Sequence, residues 1–265
     1  MKWIAHVALQ AIYPFEKACF YSKRYCTYTE PIIRVGVIVS HVEHYVTTTH
    51  RQLRIPGLAI AIVQDGKVVY QRSLGEAAPG RPTTPSTPFI LGSLSKSFTA
   101  LAIMQLIEAG KLNLDERVQH SIPWFRLDDS AASSLITVRH LLTHTSGISR
   151  FTGRVLLSRR GGKTREQSVR ALSKVQLSCP VGSRFEYSNT NYLIAGLLIE
   201  SASGMSYEEY IQEHIFRPLQ MTTSFPSEQQ ARRHGMAQGY RWWFGRPVPF
   251  DAPFLDDALP AAYLT

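Results

Sequence analysis

The segment at residues 93–109 limits the possible folds of this 265-residue chain more than any other. Its sequence, SLSKSFTALAIMQLIEA, reads as a helix that ends at Gly110 and has almost no polar face. A helix that is apolar nearly all round lies at the centre of a domain rather than on its surface. With 44% hydrophobic residues, the chain can bury a core of that kind. We therefore predict a globular domain built around this helix.

Strand signals come before this helix, and helix signals follow it. Residues 35–53 carry apolar side chains at helical spacing, and two strands at residues 58–63 and 67–71 are joined by a D-G dipeptide that indicates a tight hairpin. Further helices are predicted at residues 137–143, 189–201 and 206–216. Loops and short strands are predicted from Ser224 on. This order predicts an α+β fold, in which a small antiparallel sheet packs on helices.

The formal net charge of +9 is concentrated in one stretch of the chain. Between Arg154 and Lys174, seven basic residues face Glu166 as the one acidic residue. A nucleic-acid interface interleaves basic and aromatic residues on one surface, but the nearest aromatic residue to this stretch is Phe151. We expect no nucleic-acid partner and interpret the stretch as a solvated or anion-attracting loop.

The cysteines do not fix the redox compartment. Their number is odd and no C-x-x-C pair occurs among them: Cys19, Cys26 and Cys179. A disulfide between Cys19 and Cys26 stays open as an alternative to free thiols.

Residues 1–33 show no clear periodicity and are interpreted as a leader whose structure the sequence does not determine. The chain begins like a secretory signal peptide, with Lys2 ahead of an apolar stretch. However, His6 and Gln10 interrupt that stretch, and no convincing cleavage site with small residues follows. No run of about 18 or more apolar residues occurs, so the sequence predicts no transmembrane segment.

Ser93 and Lys96 form an S-x-x-K motif at the start of the apolar helix. Residues three apart share a helix face, so the lysine amine can lie over the serine hydroxyl. Serine needs a base before it becomes a good nucleophile, and a desolvated lysine with a lowered pKa can be that base at neutral pH. The helix N-terminus adds N–H groups that favour a developing oxyanion. The alternative is a serine helix cap beside a surface lysine, which the apolar residues around Lys96 disfavour.

Tyr187 and Asn189 form a Y-x-N motif just before a second apolar helix. A phenol close to an ammonium group can shuttle a proton, and an asparagine offers both a carbonyl and an amide for holding a substrate amide. A buried tyrosine followed by an asparagine helix cap would give the same pattern. Together with Ser93 and Lys96, the motif indicates an acyl-transfer site with Tyr187 as the proton-handling group.

Three longer segments occur in a fixed order: GSLSKSFTA at residues 92–100, ITVRHLLTHTSG at 136–147 and FEYSN at 185–189. Together they closely resemble the serine β-lactamase-related family, which includes class C β-lactamases, DD-peptidases, other penicillin-binding-protein-like hydrolases and esterases. The resemblance extends from residue 35 to the end of the chain. It implies a β-lactamase/transpeptidase-like α+β fold over residues 34–265, with a helical domain and an antiparallel sheet domain.

The resemblance also implies roles for single residues. Ser93 would be the acylated nucleophile, Lys96 its partner, Tyr187 the acid/base and Asn189 a substrate contact. The implied substrates are small molecules or peptides, namely β-lactams, D-Ala-D-Ala-like peptides or esters, and no cofactor or metal is implied. An extracytoplasmic location, periplasmic or at the cell surface, is typical of the family.

Two other kinds of site fit the sequence less well. His140 and His144 stand four residues apart, as a pair of metal ligands on one helix face would, but no glutamate follows His140 to complete an H-E-x-x-H pattern. The family resemblance instead makes His140 and Leu141 core helix residues. A Ser-His-Asp hydrolase would need a nucleophile elbow such as G-x-S-x-G, and the residues around Ser93 lack it.

The family's third motif, a K-x-G or H-x-G strand that flanks the nucleophile, is not found. No K-T-G or H-T-G follows Asn189, and later strands of the family's sheet would lie beyond residue 265. We therefore expect a member that lacks the C-terminal part of its domain. One alternative to the serine hydrolase stays open, namely a non-catalytic remnant or ligand-binding module with the same fold.

Overall fold

The structure is a computed structural model that describes residues 31–152, 164–251 and 258–265, with side chains described from residue 39. The chain divides into two compact units, residues 1–49 and residues 50–265. The described part of the first unit is helical and belongs to α1 (Pro31–Gln52), which begins four residues before the predicted start at residue 35. Cys19, Cys26 and the predicted leader up to residue 30 lie outside the described residues.

The second unit has an α+β fold, as the sequence predicts. Its strands are β1 (Gly57–Gln64), β2 (Lys67–Ala78), β3 (Arg81–Pro82), β4 (Tyr240–Trp243) and β5 (Arg246–Pro249). Its helices are α2 (Ser95–Glu108), α3 (Val118–Ser121), α4 (Ser130–Ser133), α5 (Val138–Leu142), α6 (Arg165–Arg170), α7 (Asn189–Ser203), α8 (Tyr207–Ile211) and α9 (Glu228–Arg233). Of the helices in the described ranges, none has the length and apolar character needed to cross a bilayer.

The predicted hairpin is present, and its second strand is longer than expected. Asp65 and Gly66 both have positive φ, 50° and 72°, which a two-residue type I′ turn requires. β1 pairs antiparallel with β2 from Gln64↔Lys67 to Gly57↔Gly75, so β2 continues seven residues past the predicted end at residue 71. β3 then adds to the free side of β2, which gives the sheet order β1-β2-β3.

The helical part of this unit forms around α2 and α7, which contact each other. The inner residues of α2, among them Ala102, Ile103 and Leu106, are almost completely buried. The prediction that α2 is buried all round is wrong for its other face, because Leu101 and Met104 are 43% and 46% exposed. The apolar pattern identified a helix that packs against a core, but it could not tell which face neighbouring elements cover.

The region from Ser224 on contains a helix that the sequence analysis missed. α9 begins after Ser227, whose side chain accepts a hydrogen bond from the backbone N–H of Gln230 and so caps the helix. The predicted short strands are also there, as the β4–β5 hairpin.

The last described segment, residues 258–265, lies against the start of α2 and against α7. The N–H of Leu91 donates to the Leu264 carbonyl at 2.8 Å, and the N–H of Leu264 donates to Ser95 Oγ at 3.1 Å. Gly196 of α7 allows the close approach, because a Cβ at that position would lie 2.3 Å from Cγ of Pro260. The segment therefore reaches the helix start that carries the S-x-x-K motif.

Candidate active site

Ser93 lies in a 3₁₀ turn (Gly92–Leu94) that leads directly into α2. Gly92 has a φ of 59°, a conformation that glycine adopts without steric cost, and the chain turns there into the helix. Ser93 is exposed, whereas Ser95 and Lys96 in the next turn are buried. The helical spacing brings Lys96 Nζ to 3.5 Å from Ser93 Oγ, on the same face.

Lys96 is a buried lysine with neutral hydrogen-bond partners. Its side chain is 7% exposed, and Nζ donates to Oδ1 of Asn189 at 2.7 Å and to the backbone carbonyl of Ala261 at 2.6 Å. Burial disfavours the ammonium form and lowers the pKa of the Lys96 amine from 10.5 to about 8. A useful fraction of the amine is therefore unprotonated near neutral pH, as a general base requires.

Tyr187 brings a second proton carrier to the serine. Its hydroxyl lies 2.7 Å from Ser93 Oγ, and its ring centroid lies 4.9 Å from Lys96 Nζ. Asn189 is the first residue of α7, and its Oδ1 accepts from Lys96, so its amide N–H₂ is the group left to contact a substrate. The residues named from sequence as a candidate site, Ser93, Lys96, Tyr187 and Asn189, thus lie together.

His144 also belongs to this cluster, although from the sequence it was considered only as one of a pair of metal ligands and not as part of the acyl-transfer site. Its buried ring lies 4.6 Å from the Tyr187 ring and 5.3 Å from the Tyr192 ring, measured between centroids. Its Nδ1 lies 3.2 Å from the backbone N–H of Ser188 and 3.2 Å from Nδ2 of Asn191. Because both neighbours are donors, Nδ1 is the accepting nitrogen, and the proton of the neutral ring is on Nε2.

A second layer of contacts fixes that arrangement. Ser146 Oγ donates to Oδ1 of Asn191 at 2.6 Å, which turns the amide nitrogen of Asn191 toward His144. Burial, and to a lesser degree the positive charge of Lys96, lower the pKa of His144 from 6.5 to about 4. The ring is therefore neutral at pH 7 and supports Tyr187 without adding a charge beside Lys96.

The two histidines at positions 140 and 144 have different partners. Nδ1 of His140 lies 3.2 Å from the backbone N–H of Thr137, in the capping box of α5, whereas His144 faces Tyr187. His140 is half-buried rather than a full core residue, and Leu141 is completely buried. Within the described ranges, no three side chains with metal-ligating groups cluster together.

Comparison with known proteins gives relatives over most of the chain. A family model described as Beta-lactamase matches residues 39–265. Protein flp of Staphylococcus aureus (strain MW2) is 33% identical over 227 residues, which are 84% of this chain and 44% of flp. The octameric penicillin-binding protein homologue from Pyrococcus abyssi superimposes with a TM-score of 0.71 and 34% identity, covering 85% of this chain and 53% of that one. EstCE1, a hydrolase with promiscuous acyltransferase activity, gives a TM-score of 0.74 and 26% identity, covering 83% and 60%.

Proposed function

Because this chain belongs to the beta-lactamase family, we propose that it is a serine hydrolase that forms an acyl-enzyme intermediate on Ser93. The observation that carries the proposal is the position of the Ser93 hydroxyl, 2.7 Å from the Tyr187 hydroxyl and 3.5 Å from a lysine amine with a pKa of about 8. The chain spans 44% of the length of Protein flp, and the activity of the whole protein is part of this proposal.

In the acylation step, Ser93 Oγ attacks the carbonyl carbon of the substrate. The hydroxyl proton passes to the neutral amine of Lys96, directly or through the Tyr187 hydroxyl, as the new C–O bond forms. Tyr187 then donates its proton to the leaving nitrogen or oxygen, the scissile bond breaks, and the Lys96 ammonium returns a proton to Tyr187. The positive end of the α2 helix dipole favours the negative charge that develops on the carbonyl oxygen.

In the deacylation step, a water molecule attacks the acyl carbon and gives up its proton to the same pair of groups. The bond between the acyl carbon and Ser93 Oγ breaks, the same pair of groups returns the proton to Oγ, and the acid product leaves. The amide of Asn189 holds the substrate while its Oδ1 keeps Lys96 in place.

The substrate class we propose is β-lactams, D-Ala-D-Ala-like peptides or esters. The names of the relatives support this, since one is a penicillin-binding protein homologue and another is a hydrolase with acyltransferase activity. These substrates share a carbonyl carbon with a nitrogen or oxygen leaving group, which is what the cluster of Ser93, Lys96 and Tyr187 can act on.

Hydrolysis of nitrocefin, a p-nitrophenyl ester and a D-Ala-D-Ala peptide by the purified protein tests the proposal. We expect turnover of at least one substrate and a loss of at least about 10³-fold in Ser93→Ala. The matched control is Ser97→Ala, at an exposed serine one helical turn further on, which should keep the activity. Binding of a substrate without turnover would support the ligand-binding module instead.

A further inference from the structure

The β4–β5 hairpin exposes an unusual set of aromatic rings, which we call the aromatic tip: Trp242, Trp243 and Phe244. The exposed fractions of these three side chains are 59%, 58% and 90%. β4 and β5 pair from Tyr240↔Pro249 to Trp243↔Arg246, so the aromatic tip lies at the end of the hairpin where β4 turns into β5. Because neighbouring residues of a strand face opposite sides, Trp242 and Trp243 lie on opposite faces of the hairpin, with Phe244 at its apex.

Phe244 occupies a backbone conformation that its side chain disfavours. It has a φ of 45° and is followed by Gly245 at 73°, which is the two-residue turn that asparagine, aspartate and glycine favour. A bulky residue with positive φ is uncommon and strained. Strain of this kind, at a position where a smaller polar residue would fit better, indicates a functional reason for the exposed ring.

Positive charge surrounds the aromatic tip. Arg241 and Arg246 are exposed on the same hairpin, and the Arg241 guanidinium lies 5.5 Å from the Trp243 ring. Arg54 adds a third cation at the apex, since its Nη1 donates to the Gly245 carbonyl at 3.2 Å. Within residues 239–251 the one acidic residue is Asp251, at the base of the hairpin.

We propose that the aromatic tip docks into the interface of an anionic lipid membrane. Tryptophan and phenylalanine rings partition to the boundary between headgroups and acyl chains. Guanidinium groups one or two residues behind them are placed to reach lipid phosphates, and each cation near an anionic surface strengthens binding. A sugar-binding platform would need its rings on one flat face, whereas this tip carries rings on both faces and at the apex.

The test uses flotation of the protein with vesicles of phosphatidylcholine alone or mixed with phosphatidylglycerol. We expect binding to the anionic vesicles that weakens as salt is added, and little binding to the neutral ones. Tryptophan emission should shift to the blue on binding and be quenched by brominated lipids. The triple variant Trp242→Ser, Trp243→Ser, Phe244→Asn should lose the shift and bind at least about 10-fold more weakly. Asparagine is chosen at position 244 because it favours the turn that the hairpin requires.

A second variant separates charge from apolar insertion. Arg241→Gln with Arg246→Gln should weaken binding about fivefold per arginine and reduce its salt dependence. The control variant, Arg126→Gln with Leu135→Ser, changes an exposed arginine and an exposed leucine elsewhere and should bind like the unaltered protein. Equal binding to neutral and anionic vesicles, absence of binding, or unchanged binding of the triple variant each overturns the proposal. The proposal is also overturned if the protein binds insoluble polysaccharide instead of vesicles and the triple variant loses that binding.

Discussion

The ammonium group of Lys96 donates a hydrogen bond of 2.6 Å to the backbone carbonyl of Ala261, a residue 165 positions later in the chain. The same segment is tied to the start of α2 by the bond from the Leu264 N–H to Ser95 Oγ. The orientation of the candidate catalytic lysine therefore depends on how residues 258–265 pack against α2 and α7. This dependence gives a way to perturb the site from a position that does not touch it.

Gly196→Ala is expected to disturb the site through that segment. Inside a helix, replacing glycine by alanine ordinarily stabilises by about 1 kcal/mol. Here the new Cβ would lie 2.3 Å from Cγ of Pro260, whose ring cannot move without its backbone. We expect the free energy of unfolding to fall by about 1–3 kcal/mol and acylation to slow, measured by thermal unfolding and by the rate of labelling with a fluorophosphonate.

Gly80→Ala is the control for this change. Gly80 has a positive φ, but nothing lies within 4 Å of a Cβ placed there. It should lose about 1 kcal/mol from backbone strain and keep the labelling rate. A Gly196→Ala protein that is more stable than the parent and is labelled at the same rate would contradict the role given to this segment.

Lys96→Arg is expected to slow acylation on the order of 10²-fold or more, as for the loss of a positioned base. Arginine keeps the positive charge but stays protonated at any practical pH, so it cannot take the serine proton. The rate of labelling measures this, with Lys111→Arg at an exposed lysine as the matched change. Near-normal labelling of Lys96→Arg would show that a positive charge is sufficient and that Lys96 is not the base.

The pH dependence of acylation should follow the protonation of Lys96. Since the neutral amine is the base, the rate should rise with pH through about 8 and then level off. Asn189→Asp would place a carboxylate where an amide oxygen now lies 2.7 Å from Nζ, which favours the ammonium form. We expect the midpoint to move upward by about one pH unit or more, whereas Asn189→Ala should not raise it. Equal midpoints for the aspartate and alanine variants would argue against Lys96 as the titrating base.

His144→Asn tests the neutral histidine behind Tyr187. The pKa of His144 is about 4 in the folded chain and near 6.5 when exposed, so the unfolded chain binds more protons between these values. His144 therefore makes the protein lose stability as the pH falls from about 6.5 to 4, by on the order of 3 kcal/mol. Asparagine tolerates the φ of 58° and offers an acceptor oxygen but does not titrate.

In His144→Asn, the loss of stability over that pH window should be much smaller than in the parent protein, as followed by urea unfolding at several pH values. Labelling of Ser93 at pH 8 should fall about tenfold, because Tyr187 loses the ring that positions it. His140→Asn is the comparison, since His140 caps α5 and does not contact Tyr187. If His144→Asn and His140→Asn both lose as much stability between pH 6.5 and 4 as the parent protein, His144 is not the group responsible for that loss.

Local chemistry explains which parts of the fold could be predicted from the sequence. The β1–β2 turn was predictable because Asp65 and Gly66 favour the positive φ values that the turn requires. α9 was missed although its signal was present, since Ser227 and Gln230 have the spacing of a helix cap. The exposed face of α2 was not predictable, because an apolar pattern does not say which neighbours cover it.

In the candidate site, too, some features were predictable from the sequence and others were not. The pairing of Ser93 with Lys96 follows from helix geometry alone, and the family motifs identified Tyr187 and Asn189, elsewhere in the chain, as members of the same site. His144 lies inside a motif that was recognised, yet its contact with Tyr187 depends on tertiary packing. The part played by Ala261 left no signal, because a backbone carbonyl is the same for every residue.

Covalent labelling shows directly whether Ser93 is the residue that becomes acylated. The protein is incubated with a fluorescent penicillin and, separately, with a fluorophosphonate, and the adduct is located by mass spectrometry of the peptide that spans residues 92–100. We predict a single adduct on Ser93 that is absent from Ser93→Ala and still present in Ser97→Ala. An adduct on Ser95 or Ser97, or labelling that persists in Ser93→Ala, would show that Ser93 is not the nucleophile.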